Sequence, residues 1–467
     1  MKMKDFNIIE LQEQMDNNSL SALKLTQYYM DRIKKYDHQY NSVFEVNEAA
    51  INIAQELDEE RRVKGKRSLL HGISILLKDN INADFQGKLR TTAGAMIFKD
   101  LYVNYDATIV AKLKEAGAII LGKTNLTEFA NVMTDQSPKG FSALGGQVKS
   151  PYGDFDVGGS SSGSGVAMAM DFCTVAIGTE TSGSIIDPAG CNGVVGVKPT
   201  IGVASRYGII PISWTQDVPG PMSRNITDAA IVLDIIKGAD LSDSITELKH
   251  QLPNYLMSLD GASLKGIKLG FPKGKFLKAV KQEKLEIFYR AISILVELGA
   301  SVIEVKMAND PHNLKKDVMY YEFPIALNRY LESLGHTAPI KTLEEIIKFN
   351  NENLKERAPY GQTIFEKCIK FKESFKEKYQ QELNNSVQAS KEIDDVIDQN
   401  NLDALLFVGS EAVGIPAKGG YPSITFPGGF TKENEPVGIT LTGKKFSEDK
   451  LLGYGYEFEK YMQAKNS

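Results

Sequence analysis

The stretch Gly159-Ser160-Ser161-Ser162-Gly163 satisfies G-x-S-x-G, the turn that exposes an attacking serine between a strand and a helix. On that reading Ser161 is the nucleophile. An acid and a histidine must then follow, and His250, His312 and His336 lie downstream. Two features count against it. The preceding Asp154-Phe155-Asp156-Val157 is a poor buried strand, and a stretch rich in glycine and serine meets the pattern by composition alone. The same glycines, ahead of a helix expected from Val166, could cradle a phosphate, but neither G-K-[ST] nor G-x-G-x-x-G is present. A tight turn without chemistry is the third reading.

Further blocks decide among the three. Gly178-Thr179-Glu180-Thr181-Ser182-Gly183-Ser184-Ile185 follows, with Ser184 standing 24 residues after Ser160. Then come Pro188-Ala189 and Gly193-Val194-Val195-Gly196-Val197-Lys198-Pro199-Thr200. Upstream, Gly72-Ile73-Ser74-Ile75-Leu76-Leu77-Lys78-Asp79 ends an apolar run in a lysine, 82 residues before Ser160. A serine hydroxyl is a weak nucleophile until a base takes its proton. None of these blocks contains a histidine, whereas serine–lysine pairs are an established alternative to the histidine triad. A lysine acts as a base only when neutral, and burial among apolar groups lowers its pKa. Lys78, closing Ile75-Leu76-Leu77, meets that requirement; taken alone it would read as a lysine snorkelling from a strand end.

In this order and spacing the blocks resemble the amidase signature family, and the resemblance runs from about residue 5 to Gly420-Tyr421-Pro422-Ser423-Ile424. It implies a serine-dependent hydrolase of carboxamides. Ser184 would form the acyl-enzyme. Ser160, preceded by a cis peptide bond, would bridge to Lys78, which takes the proton and returns it to the leaving amine. The backbone N–H groups of Thr181, Ser182, Gly183 and Ser184 would form an oxyanion hole, with Asn131 among the substrate-binding groups. Ser161 and Ser162 would be supporting hydrogen-bonders and Cys191 a buried structural thiol. Neither a metal nor an organic cofactor is required.

Departures from the family pattern narrow the substrate. Many members carry glycine where Ser182 stands and arginine where Ile186 stands; T-G-G-S-I-R is usual in the glutaminase component of the tRNA-dependent amidotransferase. Ile186-Asp187 argues against that component and against a small anionic acyl group. Ile209-Ile210-Pro211-Ile212-Ser213, Gln216-Asp217-Val218-Pro219-Gly220-Pro221-Met222 and Tyr321-Glu322-Phe323 place the chain nearer the peptide amidase branch. By analogy residues 310–365 form part of a substrate wall. Tyr320, Tyr321, Phe323 and Tyr360 would there suit an apolar or peptidic acyl group; equally, they read as core aromatics. Two rivals stand beside the amidase: the glutaminase subunit of the tRNA-dependent amidotransferase, and a binding protein that kept the fold without the chemistry.

Positioning such groups takes strand ends and tight turns. Ile73–Leu77, Ala118–Leu121, Val175–Ile177, Val194–Val197, Ile267–Phe271, Val302–Val305, Ala404–Val408, Ser423–Phe426 and Val437–Leu441 read as strands, short apolar runs bounded by glycine or polar residues. Ala22, Leu25, Tyr29 and Ile33 fall on one face of an early helix, and Ile109, Leu113 and Ala116 on another that stops at Gly117. The alternation argues α/β, and the resemblance implies an α/β/α sandwich, a mixed and twisted central sheet with helices on both faces. All 467 residues are expected in one domain, with a signature core at about 65–230 and a helical, substrate-side region at about 275–400. A net charge of −5 gives no basic excess for nucleic acid, and the lysines from Lys367 to Lys378 alternate with glutamates as on a solvated helix. No apolar run nears the ~18 residues of a membrane span, and Met1 to Gln14 lacks a signal-peptide stretch. Three cysteines without C-x-x-C predict neither a disulfide framework nor a structural zinc. The expected setting is cytoplasmic, as a monomer or homodimer acting on a small-molecule or peptide amide.

Overall fold

Short apolar runs form the strands of one mixed sheet. The computed structural model describes residues 3–310 and 314–466; His312, a triad candidate of the G-x-S-x-G reading, lies outside the described residues. In chain order the strands are β1 Val43–Val46, β2 Ser74–Lys78, β3 Ile119–Thr124, β4 Phe141–Ser142, β5 Gly146–Gln147, β6 Val175–Glu180 and β7 Val195–Lys198. β8 Val218–Ser223, β9 Lys268–Pro272, β10 Ser301–Val305, β11 Ala404–Val408, β12 Ser423–Phe430 and β13 Pro436–Thr442 follow. Eleven of them form one sheet in the order β1-β3-β2-β6-β8-β7-β12-β13-β11-β9-β10, while β4 and β5 pair separately. β2 runs parallel to both β3 and β6, β9 runs parallel to β10 and β11, and the middle of the sheet is antiparallel.

Every residue of β2, β3, β6, β7, β8, β11 and β13 is buried. Since successive strand residues face opposite sides, both faces of the sheet are covered. Helices Ser162–Ala169 and Ile226–Ile236 pack on β6 and β8, and Glu448–Asn466 on β12. Helix starts follow ordinary capping chemistry: Asn7 and Glu10 form a capping box, and Ser21 and Asn225 accept the N–H three residues on. Among the described residues no helix is long and apolar enough to cross a membrane.

The nine expected strands are present, within a few residues at their ends. β8 was not expected, because Pro219 and Pro221 argue against a central strand. It is accommodated because β7 pairs only with Met222 and Ser223, so the two prolines stand where β6 alone runs alongside. Within the region 275–400 the expected strand at Val302–Val305 is β10, at the sheet edge.

From Asp317 to Gln399 the chain makes a helical excursion with its own core, shared with residues near Phe98 and Phe129. Phe323 is fully buried and stacks on Phe365 with ring centroids 5.4 Å apart. Tyr320 is buried against Phe371, Tyr321 packs on Tyr379, and Tyr360 packs on Phe141. Phe323 and Tyr320 are therefore core, whereas Tyr321 is half-buried and Tyr360 is exposed.

Candidate active site

Lys78 is the last residue of β2, held between two parallel neighbours and fully buried. Its Nζ lies 2.7 Å from Ser160 Oγ, 3.2 Å from the Thr179 carbonyl and 3.0 Å from Thr179 Oγ1. Burial is the main influence on this amine and pushes its pKa down to about 7, although Glu180 and Asp217 pull the other way. Strand β6 brings Thr179 to this point beside β2. Asn80, just past the end of β2, donates Nδ2 to Thr179 Oγ1 at 2.9 Å.

Ser160 follows a cis peptide bond from Gly159. Its carbonyl accepts from Thr127 N at 3.0 Å, and the side chain is fully buried. The helix Ser162–Ala169 then starts against the backbone of the β1 and β3 ends. A Cβ on Gly163 would lie 2.3 Å from the Ser42 carbonyl oxygen and 2.4 Å from that of Asn125, so only glycine permits this approach. Ser161 is not an exposed nucleophile. Its fully buried Oγ donates to the Thr179 carbonyl at 3.2 Å and accepts from Thr179 N at 3.3 Å. Ser162 Oγ donates to the Gly158 carbonyl at 2.5 Å. His250 packs on Phe446 and His336 is exposed in another region, so neither serves Ser161.

Ser184 sits in the turn between β6 and the helix Ile186–Cys191. Gly183 before it has φ of +88°, a left-handed conformation that glycine adopts without strain. The turn is tied at several points. Glu180 Oε2 accepts from Ile185 N at 2.8 Å and Ile186 N at 3.0 Å. Ser161 N donates to the Ser184 carbonyl at 3.2 Å. Thr181 Oγ1 donates to Asp217 at 2.5 Å, which turns that hydroxyl away from the pocket. Among the described residues, the backbone N–H groups of Thr181, Ser182, Gly183 and Ser184 find no protein acceptor. Four orphan donors in succession are unusual for ordered backbone. No hydrogen bond joins the Ser160 and Ser184 hydroxyls, and Ser184 is 8% exposed toward a cavity of about 330 Å³.

That cavity is lined by Gly159, Thr181, Ser182, Gly183 and Ser184, by the apolar side chains Leu314, Met319 and Val413, and by Lys139, Lys315, Lys316 and Lys418. Asn131 lines it too, from a turn in which Phe129, Ala130 and Asn131 have φ of 47°, 51° and 70°. Three non-glycine residues in the left-handed region store strain. The turn is held by Phe129, whose ring packs on Phe98 and Phe365 and whose N–H donates to the Ala93 carbonyl at 2.9 Å.

The chain matches the Amidase family over residues 24–452. The chain belongs to the amidase family. It is accordingly a hydrolase of amide C–N bonds. A "probable amidase" of Arabidopsis thaliana is 34% identical over 98% of this chain and 90% of that protein. The crystal structure of a peptide amidase from Stenotrophomonas maltophilia superposes with a TM-score of 0.92 at 36% identity, covering 99% of this chain and 98% of that one. A glutamyl-tRNA(Gln) amidotransferase component from Thermotoga maritima gives a TM-score of 0.70 at 27% identity, covering 97% and 94%.

The structure thus brings Lys78 to Ser160, and places Ser184, the 181–184 turn and Asn131 on one cavity. Sequence reasoning missed Thr179, which holds the lysine amine, and the three carboxylates that shape the turn. Glu180 stood inside a motif block without a role, and Asp187 was read only with Ile186 as a clue to the substrate. Asp187 lines the cavity, accepting from Gly159 N at 3.0 Å, Lys139 Nζ at 2.7 Å and Ser410 Oγ at 2.7 Å. Ile186, read as a clue to the substrate, is fully buried away from the cavity. Cys191 is half-buried beside Asp187, and burial pushes its thiol pKa well up.

Proposed function

We propose that the chain hydrolyses a carboxamide to acid and amine through an acyl-enzyme on Ser184, with Ser160 as proton bridge and Lys78 as base. The 2.7 Å contact between Lys78 Nζ and Ser160 Oγ, deep in a buried site, carries this reading. A neutral amine has two N–H donors and one lone pair. In the structure the amine donates to Ser160 Oγ and to both Thr179 oxygens; once it is neutral, the Ser160 hydroxyl turns to donate to its lone pair while Thr179 keeps two acceptors. Substrate entering the cavity sets its carbonyl on the 181–184 turn, and rotation of the Ser184 side chain closes the bond to Ser160.

The proton of Ser184 passes to Ser160 as the Ser160 proton passes to Lys78. The Ser184 oxygen bonds to the carbonyl carbon, and the oxyanion takes the orphan N–H groups. Lys78 then returns a proton through Ser160 to the leaving nitrogen as the C–N bond breaks. Water repeats the sequence on the ester to release the acid.

We propose peptide C-terminal or other apolar amides as substrates. The apolar side chains Leu314, Met319 and Val413 in the cavity wall and the similarity to a peptide amidase support that choice. The amidotransferase component is the rival with relatives of its own, at lower structural similarity. The purified chain, given peptide amides and glutamine separately, is expected to release ammonia from the former; turnover of glutamine alone would favour the rival. Free thiols at Cys173, Cys191 and Cys368 support a reducing, cytoplasmic setting. The whole chain is proposed to act as one domain, as a monomer or homodimer.

A further inference from the structure

Gln216 stands just before β8, in the wall of the Ser184 cavity, and is only 7% exposed. Its Nε2 donates to the Thr181 carbonyl at 3.3 Å. A carbonyl can only accept, so the nitrogen is the end of the carboxamide turned to Thr181, and Oε1 is left as an acceptor. Among the described residues Oε1 has no protein donor, and it keeps open surface in the cavity wall. The backbone beneath is fixed. Gln216 N and Asp217 N donate to the Ser213 carbonyl at 3.2 and 2.9 Å. The Asp217 carboxylate accepts from Ile212 N at 2.7 Å, Ser213 N at 2.8 Å and Thr181 Oγ1 at 2.5 Å. One carboxylate thus ties the Gln216 loop to the turn that carries Ser184 and the orphan N–H groups. Other side-chain acceptors on the cavity are engaged or outlying. Asp187 already takes Gly159 N, Lys139 Nζ and Ser410 Oγ, and Asn131 and Ser182 are exposed.

A primary carboxamide brings a carbonyl acceptor and two N–H donors into this site. The 181–184 turn offers donors to the carbonyl oxygen and nothing to the nitrogen, whose N–H groups lose water on entry and need an acceptor. Given an acyl-enzyme on Ser184, on which the inference rests, we propose that Gln216 Oε1 accepts an N–H of the scissile carboxamide and so recognises the leaving nitrogen. Holding one N–H also fixes rotation about the C–N bond, which turns the nitrogen lone pair toward the proton that Ser160 delivers. An ester places an oxygen there, with no hydrogen to give, and leaves Oε1 unpaired. A site built around a substrate N–H discriminates against the analogue that lacks it.

The test compares kcat/KM for acetyl-alanyl-leucinamide with that for the methyl ester of acetyl-alanyl-leucine, which forms the same acyl-enzyme. Both are measured on the full natural chain and on Gln216→Met, which keeps the length of the side chain and removes its carboxamide. The amide-to-ester ratio is expected to fall at least tenfold in Gln216→Met, with the loss on the amide. Enzyme concentration cancels from the ratio, so a variant that folds in low yield still reports. A residue that merely supported the Thr181 turn would slow both substrates alike and leave the ratio unchanged. An unchanged ratio would therefore overturn the role of Gln216 while leaving Ser184, Ser160 and Lys78 in theirs. No turnover of the amide by the natural chain would instead count against the apolar peptide-amide reading, and the role of Gln216 would fall with it.

Discussion

The strand-end centre around Lys78 and the helical excursion from Asp317 to Gln399 use their side chains in opposite ways. At the strand ends, polar groups face one another in a buried setting, each held by a ladder position, a turn or a carboxylate. In the excursion the large side chains turn inward: Phe323, Phe365 and Tyr320 build a separate core, and only residues at its start, such as Met319, reach the cavity. The candidate catalytic groups stand on strand ends and turns, while the excursion adds Met319 to the pocket wall and otherwise packs on itself. Substitutions in the first region should therefore change turnover, and those in the second should change binding or stability.

The largest expected effect is that of Ser184→Ala, which should lower kcat by about 10⁴-fold or more. Lys78→Ala comes next, with a loss of about 10³-fold, within the range for a positioned base. The natural enzyme should show kcat/KM falling about tenfold per pH unit below pH 7. The direction follows from the buried amine, whose pKa is pushed down to about 7: lower pH adds the proton that ends its action as a base, while higher pH leaves it neutral. Lys78→Ala should lack this dependence, and a pH–rate series on both proteins checks it. Met319→Ala is expected to raise KM about tenfold with kcat nearly unchanged, the scale of a lost apolar pocket contact. The smallest effect on catalysis is expected from Phe323→Ala. That change should cost about 3–5 kcal/mol of stability in denaturant unfolding, yet leave KM within twofold at a temperature where the variant is folded. A large KM change there would return Phe323 to the substrate wall and erase the distinction.

The same contrast explains what was legible before the fold was known. Lys78, Ser160 and Ser184 could be proposed because the blocks around them resemble one family in order and spacing, and the turns that hold the serines need glycine. The inner strands could be named because a run buried on both faces must be apolar, and β10, largely exposed at the edge, because of its valines and isoleucine. Thr179 stayed invisible: a threonine in a strand looks the same whether or not a lysine amine rests on it. Glu180 and Asp187 act by accepting backbone N–H groups, a role set by turn geometry and not by residue type. The aromatics of the excursion were ambiguous in principle, since an inward ring and a pocket ring share one helical pattern. β8 was hidden by its prolines, whose tolerance depends on where β7 stops.

The central claim, that Ser184 is the nucleophile and not Ser161, meets its most direct test in covalent labelling. The full chain should be treated with a fluorophosphonate and the modified residue located by peptide mass spectrometry. The account predicts label on Ser184, none in Ser184→Ala, and labelling largely kept in Ser161→Ala. Label on Ser161, or full labelling of Ser184→Ala, would contradict it.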